Sequence, residues 1–204
     1  MITLRTLRFS DKSSVFTLGC SIFREDEIPL LQKALALCIE HLSYVAVEDK
    51  KIIGFTLVCV KPTNVYFTFM TTIPSCYEFA FLGISPACQG RGLGSRLLKE
   101  TIHAIFQESN QFTCWLLVDY DNYAIHMYKK YGFRLWAETA TTVPGYIMGL
   151  SHRRYHFITG VNLKNGVNLK NGVNLKNGVN TTKSMSGTKH ITLPLPEVPL
   201  IVSP

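Results

Sequence analysis

Apolar positions along the first 150 residues fall into short runs and helical stripes that follow one another in a readable order. Residues 2–8 (Ile-Thr-Leu-Arg-Thr-Leu-Arg) read as an opening strand. Asp11 stands as a helix cap before Val15, Phe16, Leu18 and Ile22. Ile28, Leu31, Ala34, Leu35, Cys38 and Ile39 mark a second amphipathic helix within 27–41. Two strand-like runs, 43–48 and 51–60, meet at Asp49-Lys50 as a hairpin. Residues 61–75, with Pro62, Asn64 and Pro74, show no clear period. The apolar run Phe79-Ala-Phe-Leu-Gly-Ile84 reads as a buried strand ended by Ser85-Pro86. Leu93, Leu97, Leu98, Ile102, Ile105 and Phe106 then recur at steps that line one face of a helix. A buried strand at 111–118 follows, then a short helix carrying Ala124, Ile125, Tyr128 and Tyr131, stopped by Gly132. Strands at 133–140 and 146–150, turned at Pro144-Gly145, complete the pattern. The predicted order is β-α-α-β-β-β-α-β-α-β-β, a mixed α/β domain of ordinary single-domain size.

The C-terminal part is different in kind. From Gly160 the hexapeptide Gly-Val-Asn-Leu-Lys-Asn occurs three times, followed by a Ser/Thr/Lys-rich stretch and a proline-rich end. Three copies are too few to stack a β-helical core, so 157–204 is expected to be a disordered low-complexity tail behind a domain of 1–156. The net charge of +7 belongs to this part of the chain: residues 151–204 hold seven Lys/Arg and one acid, which leaves +1 for 1–150. A near-neutral core argues against nucleic acid as a partner. No apolar run reaches the length of a membrane span, and the N-terminus lacks the layout of a signal peptide, so the expected compartment is the cytoplasm. The six cysteines are scattered, all but Cys88 in apolar runs, and read as free thiols. Neither their spacing nor that of the histidines suggests a metal site.

Chemistry concentrates at Gln89-Gly-Arg-Gly-Leu-Gly94, between a predicted strand and a predicted helix. A glycine-rich turn there aims unpaired N–H groups and the positive end of the helix dipole at one point, where an anion such as a phosphate belongs. The spacing is not that of a P-loop, since no Lys-Ser/Thr follows, nor that of the dinucleotide fingerprint, since the glycines alternate. It is Gln-x-x-Gly-x-Gly, and it resembles the acetyl-CoA pyrophosphate loop of the GNAT (GCN5-related N-acetyltransferase) superfamily. A second motif joins it: Ala124, Tyr128, Gly132 and Phe133 match the family pattern Asn-x-x-Ala-x-x-x-Tyr-x-x-x-Gly-Phe, with Asp121 at the asparagine position and Asn122 beside it.

The resemblance implies a mostly antiparallel central sheet flanked by helices, and an N-acetyltransferase moving the acetyl group of acetyl-CoA to a primary amine by direct attack. The acceptor would be a small molecule, a lysine or a protein N-terminus. An alternative is a non-catalytic acyl-CoA-binding sensor. A homodimer is compatible with the family. The pyrophosphate would lie on the N–H groups of residues 89–95, that is Gln89, Gly90, Arg91, Gly92, Leu93, Gly94 and Ser95, with Arg91 adding charge. The pantetheine arm would pair with Leu82, Gly83 and Ile84, and the N–H at Leu82 would polarise the thioester carbonyl. Asn122, or Asp121 at the motif's own position, would supply a further contact to the cofactor. Glu78, the one carboxylate in the apolar run 76–84, is the candidate general base, and Tyr128 the candidate acid for the departing thiolate. Glu25, Asp26, Glu27, Glu138 and Tyr146 are candidates for the acceptor's surroundings.

Overall fold

A computed structural model of the chain describes residues 1–73, 76–108, 112–139 and 144–159. Of the tail expected over 157–204, residues 157–159 instead end a helix, His152–Thr159, and 160–204 lie outside the described residues. Seven strands form one sheet in the order β1-β2-β3-β4-β5-β7-β6. They are β1 (Thr3–Thr6), β2 (Tyr44–Glu48), β3 (Lys51–Cys59), β4 (Cys76–Ile84), β5 (Thr113–Val118), β6 (Arg134–Thr139) and β7 (Gly145–Ser151). Every neighbouring pair is antiparallel except β4 and β5. The helices are α1 (Lys12–Cys20), α2 (Ile28–Leu37), α3 (Leu93–Glu108), α4 (Ala124–Lys130) and α5 (His152–Thr159). The predicted order of elements is present, with α5 in addition.

Local chemistry accounts for the punctuation. Asp49 and Lys50 both have positive φ, at 49° and 63°, the backbone of a two-residue hairpin loop whose twist matches its strands. Asp11 does not cap α1 as expected. Its carboxylate accepts the Arg8 N–H at 2.8 Å and both Arg5 guanidinium nitrogens, at 2.6 and 2.9 Å, and so ties β1 to the turn before the helix. The second helix ends at Leu37, short of the predicted 41, because Cys38 turns extended and bridges to Cys59 of β3. Cys20 is exposed and Cys88 buried, the reverse of the sequence expectation.

The two faces of the sheet are read from β3. Phe55, Leu57 and Cys59 enter a core with Val15, Leu31 and Leu35 of α1 and α2. Thr56 meets Thr101 of α3 across 2.7 Å, and Val58 joins Leu98, Ile102 and Phe106 of that helix. The α3 stripe buries Leu93, Leu97, Leu98, Ile102, Ile105 and Phe106, every position its spacing predicted, plus Thr101. Burying six such side chains at about 1.5–3 kcal/mol each makes this helix the main anchor of that face. Near residue 80 the alternation of β4 breaks: Leu57 pairs with Phe81 and Val58 with Phe79, leaving Ala80 as an extra residue. The bulge sends Phe79 to the α3 face and Phe81 to the α1–α2 face, although both are odd-numbered.

Candidate active site

The parallel pairing of β4 with β5 is short. It joins Cys76, Tyr77 and Glu78 to Thr113, Cys114 and Trp115, and there it stops. Beyond it β4 runs on to Ile84 paired only with β3, and β5 runs on to Val118 paired only with β7. Ala80, Phe81 and Leu82 thus face an opening across from Leu117 and Val118, part of a cleft of about 640 Å³. Its walls also include Glu78 and Tyr128, Thr63 and Phe67 from the segment after β3, and Asp119 to Asn122 beyond β5.

Glu78 is 5% exposed. Thr63 donates its backbone N–H to Oε2 at 2.7 Å and its hydroxyl to Oε1 at 3.0 Å. Burial pushes the carboxyl up to about 7, against the two Thr63 hydrogen bonds and the charge of Lys33, which favour the ionised form. A carboxylate so placed changes protonation near neutrality, where a general base is most effective.

Tyr128 is positioned by the end of its helix. Phe133 N–H bonds to the Tyr128 carbonyl at 3.1 Å and Gly132 N–H to the Lys129 carbonyl at 3.0 Å, a Schellman motif with Gly132 at φ 95°. The two aromatic rings pack with centroids 5.8 Å apart. The Tyr-x-x-x-Gly-Phe spacing is therefore a helix stop that also fixes where the phenol sits. Burial raises the Tyr128 hydroxyl above its ordinary range, so it stays protonated.

The glycine turn has the form its sequence suggests. Gly90 and Gly92 take φ of 74° and 71°, a region costly for side-chain-bearing residues, and a Cβ added at either would meet nothing within 4 Å. The first intrahelical bond of α3 runs from Arg96 N–H to the Gly92 carbonyl, so the N–H groups of Leu93, Gly94 and Ser95 precede the helical ladder. An added Cβ at Gly94 would come no nearer than 3.8 Å to Leu82, Ile84 and Met127, which places this residue beside the exposed end of β4. A backbone left open by its glycines at a helix start fits a pyrophosphate.

Two residues of the loop turn elsewhere. Gln89 donates its N–H to the Pro86 carbonyl at 3.3 Å and its side-chain amide to the Ile84 carbonyl, so it braces the loop against β4. The Arg91 guanidinium lies against Glu48 of β2, at 3.1 and 3.3 Å, with Cys88 Sγ at 3.7 Å. Asn122 Oδ1 accepts the Ala124 N–H at 2.9 Å and opens α4, while both it and Asp121 line the cleft. Of the acidic residues considered for the mouth, Asp26 and Glu27 line it. Glu138 instead lies on the exposed strand β6, and Tyr146 packs edge-on against Tyr120.

Sequence reasoning missed Thr63, Phe67, Arg24 and Asp119. Phe67 packs on Trp115 at 5.9 Å between centroids, and Arg24 bonds to Asp119 at 2.9 Å across the mouth of the cleft. Their contacts Thr63–Glu78, Phe67–Trp115 and Arg24–Asp119 all join residues distant in sequence, and the signals nearby pointed to other residues: Asn64, the acids 25–27, Asp121 and Asn122.

Residues 13–133 match the profile of the acetyltransferase (GNAT) family, well over half of the chain, and the protein belongs to that family. Solved structures agree in fold. The Escherichia coli ribosomal-protein-S18-alanine N-acetyltransferase superposes with a TM-score of 0.55 at 19% identity, over 74% of this chain and 93% of its own. Arabidopsis thaliana Naa50, solved with the bisubstrate analogue CoA-Ac-MVNAL, gives 0.55 at 19% identity, covering 74% and 98%. A GNAT family acetyltransferase from Brucella melitensis in complex with acetyl-CoA gives 0.54 at 17%, covering 74% and 88%. No curated protein matches the chain. Among the described residues, no helix is long and apolar enough to cross a membrane.

Proposed function

We propose that this protein is an N-acetyltransferase that moves the acetyl group of acetyl-CoA to a primary amine by direct attack. The observation that carries the reading is that Glu78 and Tyr128 line one cleft, opened where β4 and β5 part and adjoined by the glycine turn at 90–94. Acetyl-CoA supplies an acyl carbon activated by its thioester. Its pyrophosphate is held by the N–H groups of Leu93, Gly94 and Ser95, with Gly90 and Gly92 admitting it to the backbone. Its pantetheine arm lies along Leu82, Gly83 and Ile84, and the N–H at Leu82 serves the thioester carbonyl.

The amine enters as a cation along a mouth that carries Asp26, Glu27, Asp119 and Asp121, of which the first three share the single guanidinium of Arg24. Glu78 takes a proton from its nitrogen and passes it to solvent, freeing the lone pair that forms the new C–N bond, and then takes the second proton that the nitrogen sheds as the amide forms. As the C–S bond breaks, Tyr128 delivers its hydroxyl proton to the sulfur and is reprotonated from solvent. A carboxyl titrating near 7 is ionised for a useful fraction of the time at neutral pH and still basic enough to act.

The test is free-thiol release from acetyl-CoA over a panel of amines, polyamines and peptides with free N-termini or lysines. The expected result is turnover with at least one amine and loss of that turnover in Glu78→Gln. Hydrolysis alone across the panel, unaffected by Glu78→Gln, overturns the reading.

A further inference from the structure

We propose that Thr63 is the positioning residue for Glu78, clamping the carboxylate at both oxygens and thereby setting the pH range over which it is ionised. The inference rests on the reading of Glu78 as base. It is carried by geometry: one residue, itself 5% exposed, reaches one carboxylate oxygen through its N–H at 2.7 Å and the other through its hydroxyl at 3.0 Å. Two such bonds fix the plane of the carboxylate. Each oxygen has two acceptor positions, so the clamp leaves one on each free for a proton from the acceptor.

The chain on either side of Thr63 is anchored around the same carboxylate. Cys59, at the end of β3, is the register partner of Glu78, and the chain returns past Pro62 to Thr63 four residues later. Asn64 then caps the following turn, Val65–Thr72, by accepting the Tyr66 N–H at 3.0 Å. Phe67 of that turn packs on Trp115, the register partner of Glu78 on β5. The clamp is thus tied to the strands on both sides of β4. That segment carries no period in the sequence because its task is to reach across, and it lines the cleft without joining the sheet.

The charged and titratable surroundings of Glu78 are few. Lys33 of α2 favours the ionised form; the thiols of Cys59 and Cys114 lie on the neighbouring strands. Arg24, Asp26, Glu27, Asp119, Asp121 and Tyr128 share the cleft. Burial is the largest influence on the carboxyl and the Thr63 bonds are the next. Removing the hydroxyl leaves burial less opposed, and the acid form persists to higher pH.

The test is a carboxyl ¹³C NMR titration of the full chain labelled at glutamate, which needs no acceptor, alongside kcat/KM against pH. The resonance absent from Glu78→Gln identifies the group. Its midpoint is expected near pH 7 in the wild type, to rise by about one pH unit in Thr63→Val, and to return in Thr63→Ser. Thr63→Ala removes the same hydroxyl should the valine variant not fold. The acid limb of kcat/KM is expected to move with the midpoint while KM for acetyl-CoA stays put. An unchanged midpoint in the hydroxyl-free variants overturns the clamp whatever the base. A midpoint that moves while the acid limb does not leaves the clamp standing and overturns Glu78 as base.

Discussion

The two banks of the cleft are built by opposite means. At 90–94 the chain is exposed as far as Gly92, side chains are absent or turned away, and the useful groups are backbone N–H donors at a helix start. At Glu78 the chain is buried, and the useful group is one side chain whose charge is set by burial and by hydrogen bonds from another segment. On the proposed reading the first bank should tolerate change of side-chain identity but not of backbone shape. The second tolerates neither loss of the carboxylate nor a change in what surrounds it. If the two banks serve as proposed, binding of the donor and activation of the acceptor should be separable by mutation.

The largest effect expected from breaking the second bank alone is on rate. Glu78→Gln keeps size and most hydrogen bonding while removing the base, and kcat/KM should fall by about 10²–10⁴, with part of the loss recovered at high pH as more amine is already neutral. Tyr128→Phe should cost less, about tenfold to a hundredfold, and show no such recovery, because the departing thiolate still needs a proton and can take one from water. Steady-state profiles of both variants with one working amine check the pair of predictions.

A smaller effect is expected on stability. The folded-state value of Glu78, about 7, lies above its ordinary 4.5, so the native state binds the proton more tightly than the unfolded chain. Its contribution is fully present below about pH 4.5 and is lost as pH rises through about 7. Between pH 5 and 8 the wild type should therefore lose a few °C in Tm that Glu78→Gln does not lose, measured by thermal unfolding in parallel buffers. The smallest effect belongs to the first bank: Arg91→Ala should change acetyl-CoA affinity by less than about threefold, since the guanidinium is engaged with Glu48 at an exposed site. A larger loss by calorimetry would place the Arg91 side chain on the phosphates.

What was legible in the sequence follows the same division. The glycine turn shows as a motif because its positive-φ backbone calls for glycine at fixed spacing, and Tyr128-x-x-x-Gly132-Phe133 shows because a helix stop has local rules. The α3 stripe is legible because one face of a regular helix meets one core. Helix α5 escaped notice because its buried face is His152, Tyr155 and His156, residues that do not register as an apolar stripe. It nonetheless packs closely: a Cβ at Gly132 would come within 2.0 Å of Ile158. Thr63 was not legible as a site residue at all. A threonine after a proline has no signature, and its role exists only because the bulged strand β4 brings Glu78 under it.

The account turns on the separation of the two banks, and acetyl-CoA binding to three proteins tests it most directly. At about 100 times Kd, acetyl-CoA should stabilise the wild type by about 2.7 kcal/mol, roughly 5–10 °C in Tm. Glu78→Gln should show the same shift. Gly92→Glu, folded but carrying a negative side chain at a positive-φ position of the loop, should show none, and Gly92→Ala separates backbone strain from charge. The result that would contradict the account is a shift retained in Gly92→Glu, which would place the donor somewhere other than the glycine turn, or one lost in Glu78→Gln, which would make donor binding depend on the bank assigned to the acceptor.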